Sequence, residues 1–171
     1  IIFRSLFAND GLVNYVLVNL GILDKPYNFL TQPFAAKMVI ILALLWRWTG
    51  YNMVFFLSGL QNIEYSVYEA AKIDGASAIQ TFFKITVPLL KPTILLTAIM
   101  STNGTLQLFD ESINLTDGGP ANASISMSHY IYNLCFKYVP NFGYAAAMSF
   151  FILLLVAVLA FIQMRVGDKR D

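Results

Sequence analysis

The side chains of this sequence that could do chemistry are neutral polar groups inside hydrophobic segments. A hydroxyl or amide that faces lipid is costly, so such groups normally face protein or water. In a water-filled cavity, neutral donors and acceptors suit a polyol, whereas between packed helices they form interhelical hydrogen bonds. Both interpretations stay open, and we expect each of two helical stripes to do one of these jobs. One stripe contains Thr97, Ser101, Thr105 and Leu108, and the other contains Asn103, Gln107 and Asp110.

An earlier hydrophobic segment carries aromatic residues on one helical face. Trp48, Tyr51 and Phe55 are spaced i, i+3 and i+7. Aromatic faces can pack against the C–H faces of sugar rings, and a tyrosine hydroxyl can donate a hydrogen bond. The alternative is core packing or an aromatic belt at a membrane interface. Arg47 adjoins this stripe and is either a functional intramembrane charge or the ion-pair partner of Asp110 or Glu111; we favour the ion pair.

Composition excludes several classes of function. The chain of 171 residues is 57% hydrophobic and 12% charged, which is typical of a membrane protein rather than a soluble domain. Its net charge of +1 argues against a nucleic-acid partner. A single histidine, His129, and a single cysteine, Cys135, argue against catalytic triads and metal sites. With no P-loop sequence either, we expect no catalytic residue, no metal and no cofactor.

Three hydrophobic segments predict three membrane spans, since about twenty residues cross a bilayer. The last segment is the clearest, because Ser149 is its only polar side chain between residues 144 and 162. We predict an external segment over 1–36, a transmembrane helix over 37–60, a cytoplasmic loop over 61–91, a transmembrane helix over 92–109, an external loop over 110–141, a transmembrane helix over 142–164 and a cytoplasmic tail over 165–171. The orientation rests on six basic residues on the cytoplasmic side against four outside, a weak positive-inside bias. In the second helix we expect Asn103-Gly104 to introduce a bend.

The loop between the first two spans predicts a helical hairpin. Residues 64–73 are good helix formers, and Asp74-Gly75 is a stop signal in which glycine can adopt the left-handed conformation. Ser77 followed by Gln80 indicates a capping box that opens a second helix.

The second helix of this hairpin is expected to carry an apolar knob and to end before the next span. We expect Pro88 and Pro92 to interrupt its backbone. Its apolar face would need a partner groove, although an amphipathic loop on the bilayer surface is the alternative. The predicted knob consists of Ile79, Phe82, Phe83 and Thr86.

The same loop contains a spaced motif, Glu69-Ala70-Ala71-x3-Gly75-x9-Ile85-x-Val87-Pro88. It resembles the coupling motif of the membrane subunits of ATP-driven importers (ABC importers), which has leucine where this chain has Val87. Further segments are similar to carbohydrate permeases of the maltose and glycerol-phosphate group, although Glu64 stands where those commonly have proline. These segments are residues 9–15, 59–61, 107–110, 116–120 and 142–147.

The resemblance implies an all-α integral membrane protein. This chain would form the C-terminal three transmembrane helices of a roughly six-span permease with a cytoplasmic coupling helix, and its start at Ile1 without methionine suggests a truncated sequence. Such a subunit is not itself an enzyme. It would work in the cell (inner) membrane of a bacterium or archaeon as a multi-pass protein. Its partners would be two cytoplasmic ATPase subunits, a second homologous permease, an external sugar-binding protein, the carbohydrate and the lipid bilayer.

The resemblance also implies roles for individual residues. Ser101, Thr105 and Leu108 match substrate-lining positions of the maltose permease, in which an Asn-rich run replaces residues 105–108, so the identity of the sugar does not transfer. Candidate substrate contacts are Trp48, Tyr51, Ser101, Thr105, Gln107, Leu108 and Phe109. Candidate ATPase-coupling residues are Glu69, Ala70, Ala71, Gly75, Phe82 and Phe83.

Two rival functions remain at this stage. The first is an ATP-driven permease for another solute, such as a polyamine or phosphate. A polyamine site would need intramembrane carboxylates, and only Asp110 and Glu111 come near. The second rival is a channel subunit without ATP coupling, which leaves the Glu-Ala-Ala motif unexplained.

Overall fold

The computed structural model describes residues 2–167, and the regular structure in that range is helical. Residues 168–171 of the predicted tail lie outside the described range. Short π-helical or 3₁₀ turns cover Ser112–Thr116, Pro120–Asn122 and Asn133–Lys137. The helices are α1 (Ile2–Leu6), α2 (Leu12–Asn19), α3 (Pro33–Gln61), α4 (Tyr65–Ile73), α5 (Ala78–Leu89), α6 (Lys91–Leu106), α7 (Met127–Tyr132) and α8 (Phe142–Gly167).

Two helices, α3 and α8, are each long and apolar enough to cross a membrane. Most side chains of both remain exposed in the chain alone, as expected of helices that contact lipid or other helices. Helix α6 has 16 residues, or roughly 24 Å at 1.5 Å per residue. It reaches the length of a span only together with α5, from which it is bent by 65°.

The break between α5 and α6 lies at Leu90 rather than at Pro88. Pro88 lies directly after the π-helical turn Phe82–Thr86, and α5 continues through it to Leu89. Pro92 cannot donate to the carbonyl four residues earlier, which accounts for the bend. The predicted interruption before the next span is therefore confirmed, although it lies between the two prolines rather than at Pro88.

Helix α6 also ends earlier than the predicted 92–109. It runs without interruption through Asn103-Gly104, where a bend was expected, and ends at Leu106. Leu108 and Phe109 lie outside it and pack against other parts of the chain. Their tertiary contacts replace the continued helix that local sequence favoured.

The chain forms two compact units. Unit 1 comprises residues up to Arg47 together with Gly104–Leu155. Its core is Val39, Ile40, Ala43 and Leu115, against which Phe3, Phe7, Phe29, Leu30, Leu44 and Leu108 pack. The segments predicted as external, 1–36 and 110–141, contribute short helices to this unit rather than irregular loops alone.

Unit 2 comprises Trp48–Asn103 and residues from Val156 onward. Within it, α3 packs closely on the start of α6. A Cβ added at Gly59 would lie 2.9 Å from both Leu90 Cδ2 and Thr93 Oγ1, so only glycine permits this approach without a local shift. Gln163 of α8 donates to Thr102 Oγ1 of α6 at 2.8 Å. Unit 2 also contains the α4–α5 hairpin.

Candidate functional site

The turn of the α4–α5 hairpin is a Schellman motif centred on Gly75. Helix α4 is capped by Asp74, and Gly75 follows with φ +74°. The Ala76 N–H donates to Ala71 O at 2.9 Å, and the Gly75 N–H donates to Lys72 O at 3.2 Å. These bonds satisfy carbonyls that a helix end leaves unpaired. The predicted stop and the left-handed glycine are confirmed.

The start of α5 is fixed by the predicted capping box. Gln80 N–H donates to Ser77 Oγ at 3.3 Å, and Ser77 N–H donates to Gln80 Oε1 at 2.8 Å. The two halves of the hairpin also touch, because Tyr68 Oη lies 3.2 Å from Thr86 Oγ1. Short-range bonds therefore hold the hairpin in shape.

The knob on α5 is smaller than predicted. Ile79, Phe82 and Phe83 are exposed, and the two phenylalanine rings meet edge to face at 5.0 Å. Thr86, predicted as the fourth member, is instead buried against Tyr68. The reason is the π-helical turn Phe82–Thr86, whose larger number of residues per turn rotates Thr86 off the face set by a 3.6-residue period.

The remaining candidate coupling residues differ in exposure. Glu69 and Ala70 lie on the exposed side of α4, whereas Ala71 is buried. Ile73, at the end of the same helix, is 85% exposed. The hairpin thus presents a carboxylate and an apolar tip while its alanine faces inward.

The aromatic stripe of α3 forms as predicted within unit 2. The rings of Trp48 and Tyr51 meet edge to face at 5.4 Å, and those of Tyr51 and Phe55 lie 5.0 Å apart. Trp48 is half-buried and Tyr51 is exposed. The stripe is therefore a packed array of rings with Tyr51 at its accessible side.

Two hydroxyls of the stripe Thr97, Ser101, Thr105 and Leu108 lie in unit 2, and both form hydrogen bonds within the protein. Asn52 Nδ2 of α3 donates to Ser101 Oγ of α6 at 3.0 Å. Thr97 is buried and its hydroxyl lies 2.8 Å from Thr93 O on its own helix. Ser101 thus takes part in the interhelical bonding that was the alternative to a sugar path, and sequence reasoning missed Asn52, the residue after Tyr51.

The other candidate substrate contacts belong to unit 1 and divide into two kinds. Thr105 and Gln107 are exposed. Leu108 packs on the core, and the ring of Phe109 lies 5.3 Å from that of Tyr132 and 6.0 Å from that of His129. Within this unit, the polar pair is accessible to a solute and the apolar pair contacts protein.

The ion pair expected for Arg47 is confirmed with Glu111 as its partner. Arg47 Nη1 lies 2.9 Å from Glu111 Oε1, and the Glu111 side chain is largely buried. A charge-assisted bond of this kind offsets the cost of removing a carboxylate from water. Both residues belong to unit 1 and line a mainly apolar cavity there.

A buried hydrogen-bond network around Ser112 was not predicted. Ser112 Oγ donates to Ser124 O at 2.8 Å, accepts from Ser126 N–H at 3.2 Å and lies 2.9 Å from His129 Nδ1. Because the one hydroxyl proton goes to Ser124, the neutral imidazole of His129 carries its proton on Nδ1.

This network joins a serine, a histidine and an aspartate, but its geometry does not suit nucleophilic catalysis. His129 Nε2 lies 3.7 Å from Asp117 Oδ1. Ser112 is fully buried and its proton is already committed to a carbonyl, so its oxygen cannot be activated toward a solute. Within residues 2–167, no three His, Cys, Asp or Glu side chains come together as a metal site.

Comparison with known proteins places this arrangement among transport proteins. A family model described as "Binding-protein-dependent transport system inner membrane component" matches residues 5–170. The lactose transport system permease protein LacF of Rhizobium radiobacter is 54% identical over 172 residues, covering 99% of this chain and 58% of that protein. The chain therefore spans less than two thirds of the length of this relative.

Two solved structures share the fold. A bacterial ABC transporter involved in the import of the acidic polysaccharide alginate matches with a TM-score of 0.83 at 24% identity, covering 97% of this chain and 58% of that one. A bacterial alginate ABC transporter in complex with an alginate pentasaccharide-bound periplasmic protein matches with a TM-score of 0.73 at 25% identity, over 98% and 58%.

Proposed function

The chain belongs to the family of binding-protein-dependent transport system inner membrane components. We propose that it belongs to the membrane-spanning permease subunit of an ATP-driven carbohydrate importer. ATP hydrolysis belongs to two cytoplasmic ATPase subunits. A second homologous permease completes the pathway, and an external binding protein delivers the sugar. Residues 61–91 and the tail 165–171 face the cytoplasm of a bacterial or archaeal cell. Residues 1–36 and 110–141 face outward.

The observation that carries this proposal is the geometry of the α4–α5 hairpin. Its turn and its second helix are each fixed by short-range hydrogen bonds, yet Phe83 in the knob on α5 is 65% exposed. An apolar knob on a helix that polar caps hold in place is suited to insertion into a groove on another protein. Glu69 and the buried Ala71 lie on α4, the other arm of the hairpin.

Force would pass from the ATPase to the spans through this hairpin. Helix α5 is followed by α6 after one residue. Movement of the knob is therefore transmitted directly into α6. Alternating access then follows from rocking of the two permeases about a midplane site. Gly75 matters because it sets the angle between α4 and α5.

A paired substitution tests the coupling role. In the full-length permease expressed with its ATPase, Phe82→Ser with Phe83→Ser should reduce co-purification of the ATPase at least tenfold. Loss of two buried aromatic contacts is worth about 3 kcal/mol or more at an interface. Tyr65→Ser is the matched control, since Tyr65 is a similarly exposed aromatic residue on α4. Equal loss in the control, or normal ATPase recovery in the double variant, would contradict the assignment.

We further propose that seven residues line or shape the sugar path. They are Trp48, Tyr51, Ser101, Thr105, Gln107, Leu108 and Phe109. Support comes from their neutral polar and aromatic types and from the exposure of Tyr51, Thr105 and Gln107. Leu108 and Phe109 act through packing, which fixes the segment after α6. Ser101 contributes together with Asn52, to which its hydroxyl is hydrogen-bonded.

The sugar path is tested with radiolabelled lactose, the sugar in the name of the relative LacF. Thr105→Leu and Gln107→Leu should each lower uptake several-fold while the complex assembles, because each lost hydrogen bond is worth about 1 kcal/mol. Thr97→Val is the control, since that hydroxyl bonds only within its helix. Normal uptake in both leucine variants would remove these residues from the path. Uptake of a polyamine or phosphate instead of any sugar would overturn the substrate class.

A further inference from the structure

Unit 1 contains a polar cavity whose lining includes none of the candidate sugar-path residues. Its volume is about 350 Å³, and it is bounded by residues 4–9, 28–31 and 115–117. Phe7 and Phe29 form an apolar side, where their rings meet edge to face at 5.6 Å. The polar side comes from Arg4, Asn9, Asn28 and Asp117.

One buried asparagine holds two walls of this cavity together. Asn14 is 1% exposed. Its Nδ2 donates to Ala8 O at 3.0 Å and to Tyr27 O at 2.9 Å, and its Oδ1 accepts from Tyr27 N–H at 2.8 Å. The segment around Ala8 is thereby fixed against the segment that leads into Asn28. Three bonds from one buried side chain make this a built cleft rather than a gap between mobile loops.

The third wall is fixed independently. Thr116 Oγ1 donates to Ser112 O at 3.1 Å, and Lys137 Nζ contacts both carboxylate oxygens of Asp117 at 3.0 Å. Asp117 has φ +48°, a left-handed conformation that its short polar side chain tolerates. The carboxylate is thus held in one orientation at the edge of the cavity.

The chemistry of the lining favours a neutral polyol. The exposed amides of Asn9 and Asn28 can both donate to and accept from hydroxyls. The phenylalanine rings offer a surface for the C–H face of a sugar. Arg4 and Asp117 carry opposite charges, so the cavity favours neither an anion nor a cation. Its volume lies at the small end of ligand sites, which span about 300–1,000 Å³, and therefore suits one or two sugar rings.

We propose that this cavity is a second carbohydrate-binding site, which binds one end of an incoming sugar. The inference rests on the proposed function, because it places the site on the outward side of a sugar permease. The occupant is the sugar itself rather than a loop of the binding protein.

The test uses the full-length transporter complex and a lactose derivative that carries a photoreactive diazirine at its reducing end. After irradiation, mass spectrometry should find label on residues 7–9 and 28–31, and excess unlabelled lactose should abolish it. Asn28→Leu should reduce this label at least fivefold and raise the KM for lactose uptake several-fold with little change in maximal rate. Asn19→Leu is the matched control, because Asn19 is an exposed asparagine of unit 1 that bonds only to its own helix.

Three outcomes would overturn the proposal. One is label on α3 and α6 alone, which would leave the transport function intact. Another is label on residues 7–9 that lactose does not displace, as expected if a protein loop occupies the cleft. The third is an equal response of Asn28→Leu and Asn19→Leu. Failure of the proposed function itself would appear differently, as absence of lactose-dependent label at every position together with absence of sugar uptake.

Discussion

The α4–α5 hairpin of unit 2 and the region around Ser112 in unit 1 contain similar local devices, yet they place polar groups differently. A serine caps a helix in each, Ser77 in the hairpin and Ser126 in unit 1, and glycines with positive φ occur in each, Gly75 and Gly118 among them. In the hairpin, Ser77 bonds to Gln80 three residues away and the tip of the hairpin is exposed. In unit 1, Ser112 bonds to residues 12, 14 and 17 positions later and is buried. Polar groups define a local shape in the first region and join distant segments in the second.

This difference matches the proposed roles of the two regions. A coupling element must keep its shape while its apolar tip leaves water for a partner, so its polar bonds are local. A scaffold that supports a binding cleft must hold several chain segments in register, so its polar bonds are long-range and buried. Mutations should therefore affect stability in unit 1 and coupling in unit 2.

The largest expected effect is loss of the buried hydroxyl in unit 1. Ser112→Val leaves Ser124 O, Ser126 N–H and His129 Nδ1 without a partner, and an unpaired buried group costs about 1–3 kcal/mol. The apparent Tm of the purified full-length complex should fall by several degrees. Ser66→Val in the hairpin is the control, because Ser66 is exposed and bonds only to nearby Glu64. If the two variants melt alike, the contrast between the regions is wrong.

A smaller change in stability but a large change in function is expected at Gly75. Gly75→Val forces a β-branched residue into φ +74°, at a cost of roughly 1–2 kcal/mol. Sugar uptake and recovery of the ATPase should fall together, while the apparent Tm of the purified complex changes little. Gly75→Asn is the informative partner variant, since asparagine tolerates this conformation and should retain much of the activity. Normal uptake in Gly75→Val would remove the turn from the coupling mechanism.

The same contrast explains what the sequence could predict. The turn at Gly75, the Ser77 cap and the stripe at Trp48 and Tyr51 depend on residues within about one or two helical turns, and all appear in the structure. The ion pair of Arg47 with Glu111 could be predicted because few charged residues lie in or near the hydrophobic segments. The all-helical permease fold followed from hydropathy and the motif together.

The failures come from contacts between distant segments and from departures from ideal helical geometry. Thr86 does not belong to the predicted knob, because a π-helical turn rotates it to the buried side. Helix α6 ends before its predicted end at residue 109, because Leu108 and Phe109 pack against other parts of the chain. Asn14 and Ser112 gave no local signal, because an asparagine or serine in a short segment is compatible with many partners. For the candidate sugar path, sequence alone could not separate Ser101, which bonds to Asn52, from Thr105, which is exposed.

The smallest expected effect is a pH dependence confined to the unit 1 network. Burial lowers the pKa of His129 below its usual 6.5, while nearby Asp117 raises it and Lys137 lowers it. Below pH 6.5 the unfolded chain therefore binds more protons than the folded chain. The stability contribution of the neutral imidazole is complete above that pH and is lost as the pH falls.

Replacing this imidazole should flatten the dependence without breaking the network. In His129→Asn, the amide N–H can still donate to Ser112 Oγ, but the side chain no longer titrates. Between pH 7.5 and pH 5.5, the Tm of the parent complex should fall further than that of His129→Asn. Because His129 is the only histidine of this chain, partner subunits contribute the same background to both. Equal falls would place the acid sensitivity elsewhere and leave Ser112 with a packing role that does not depend on the protonation of its neighbour.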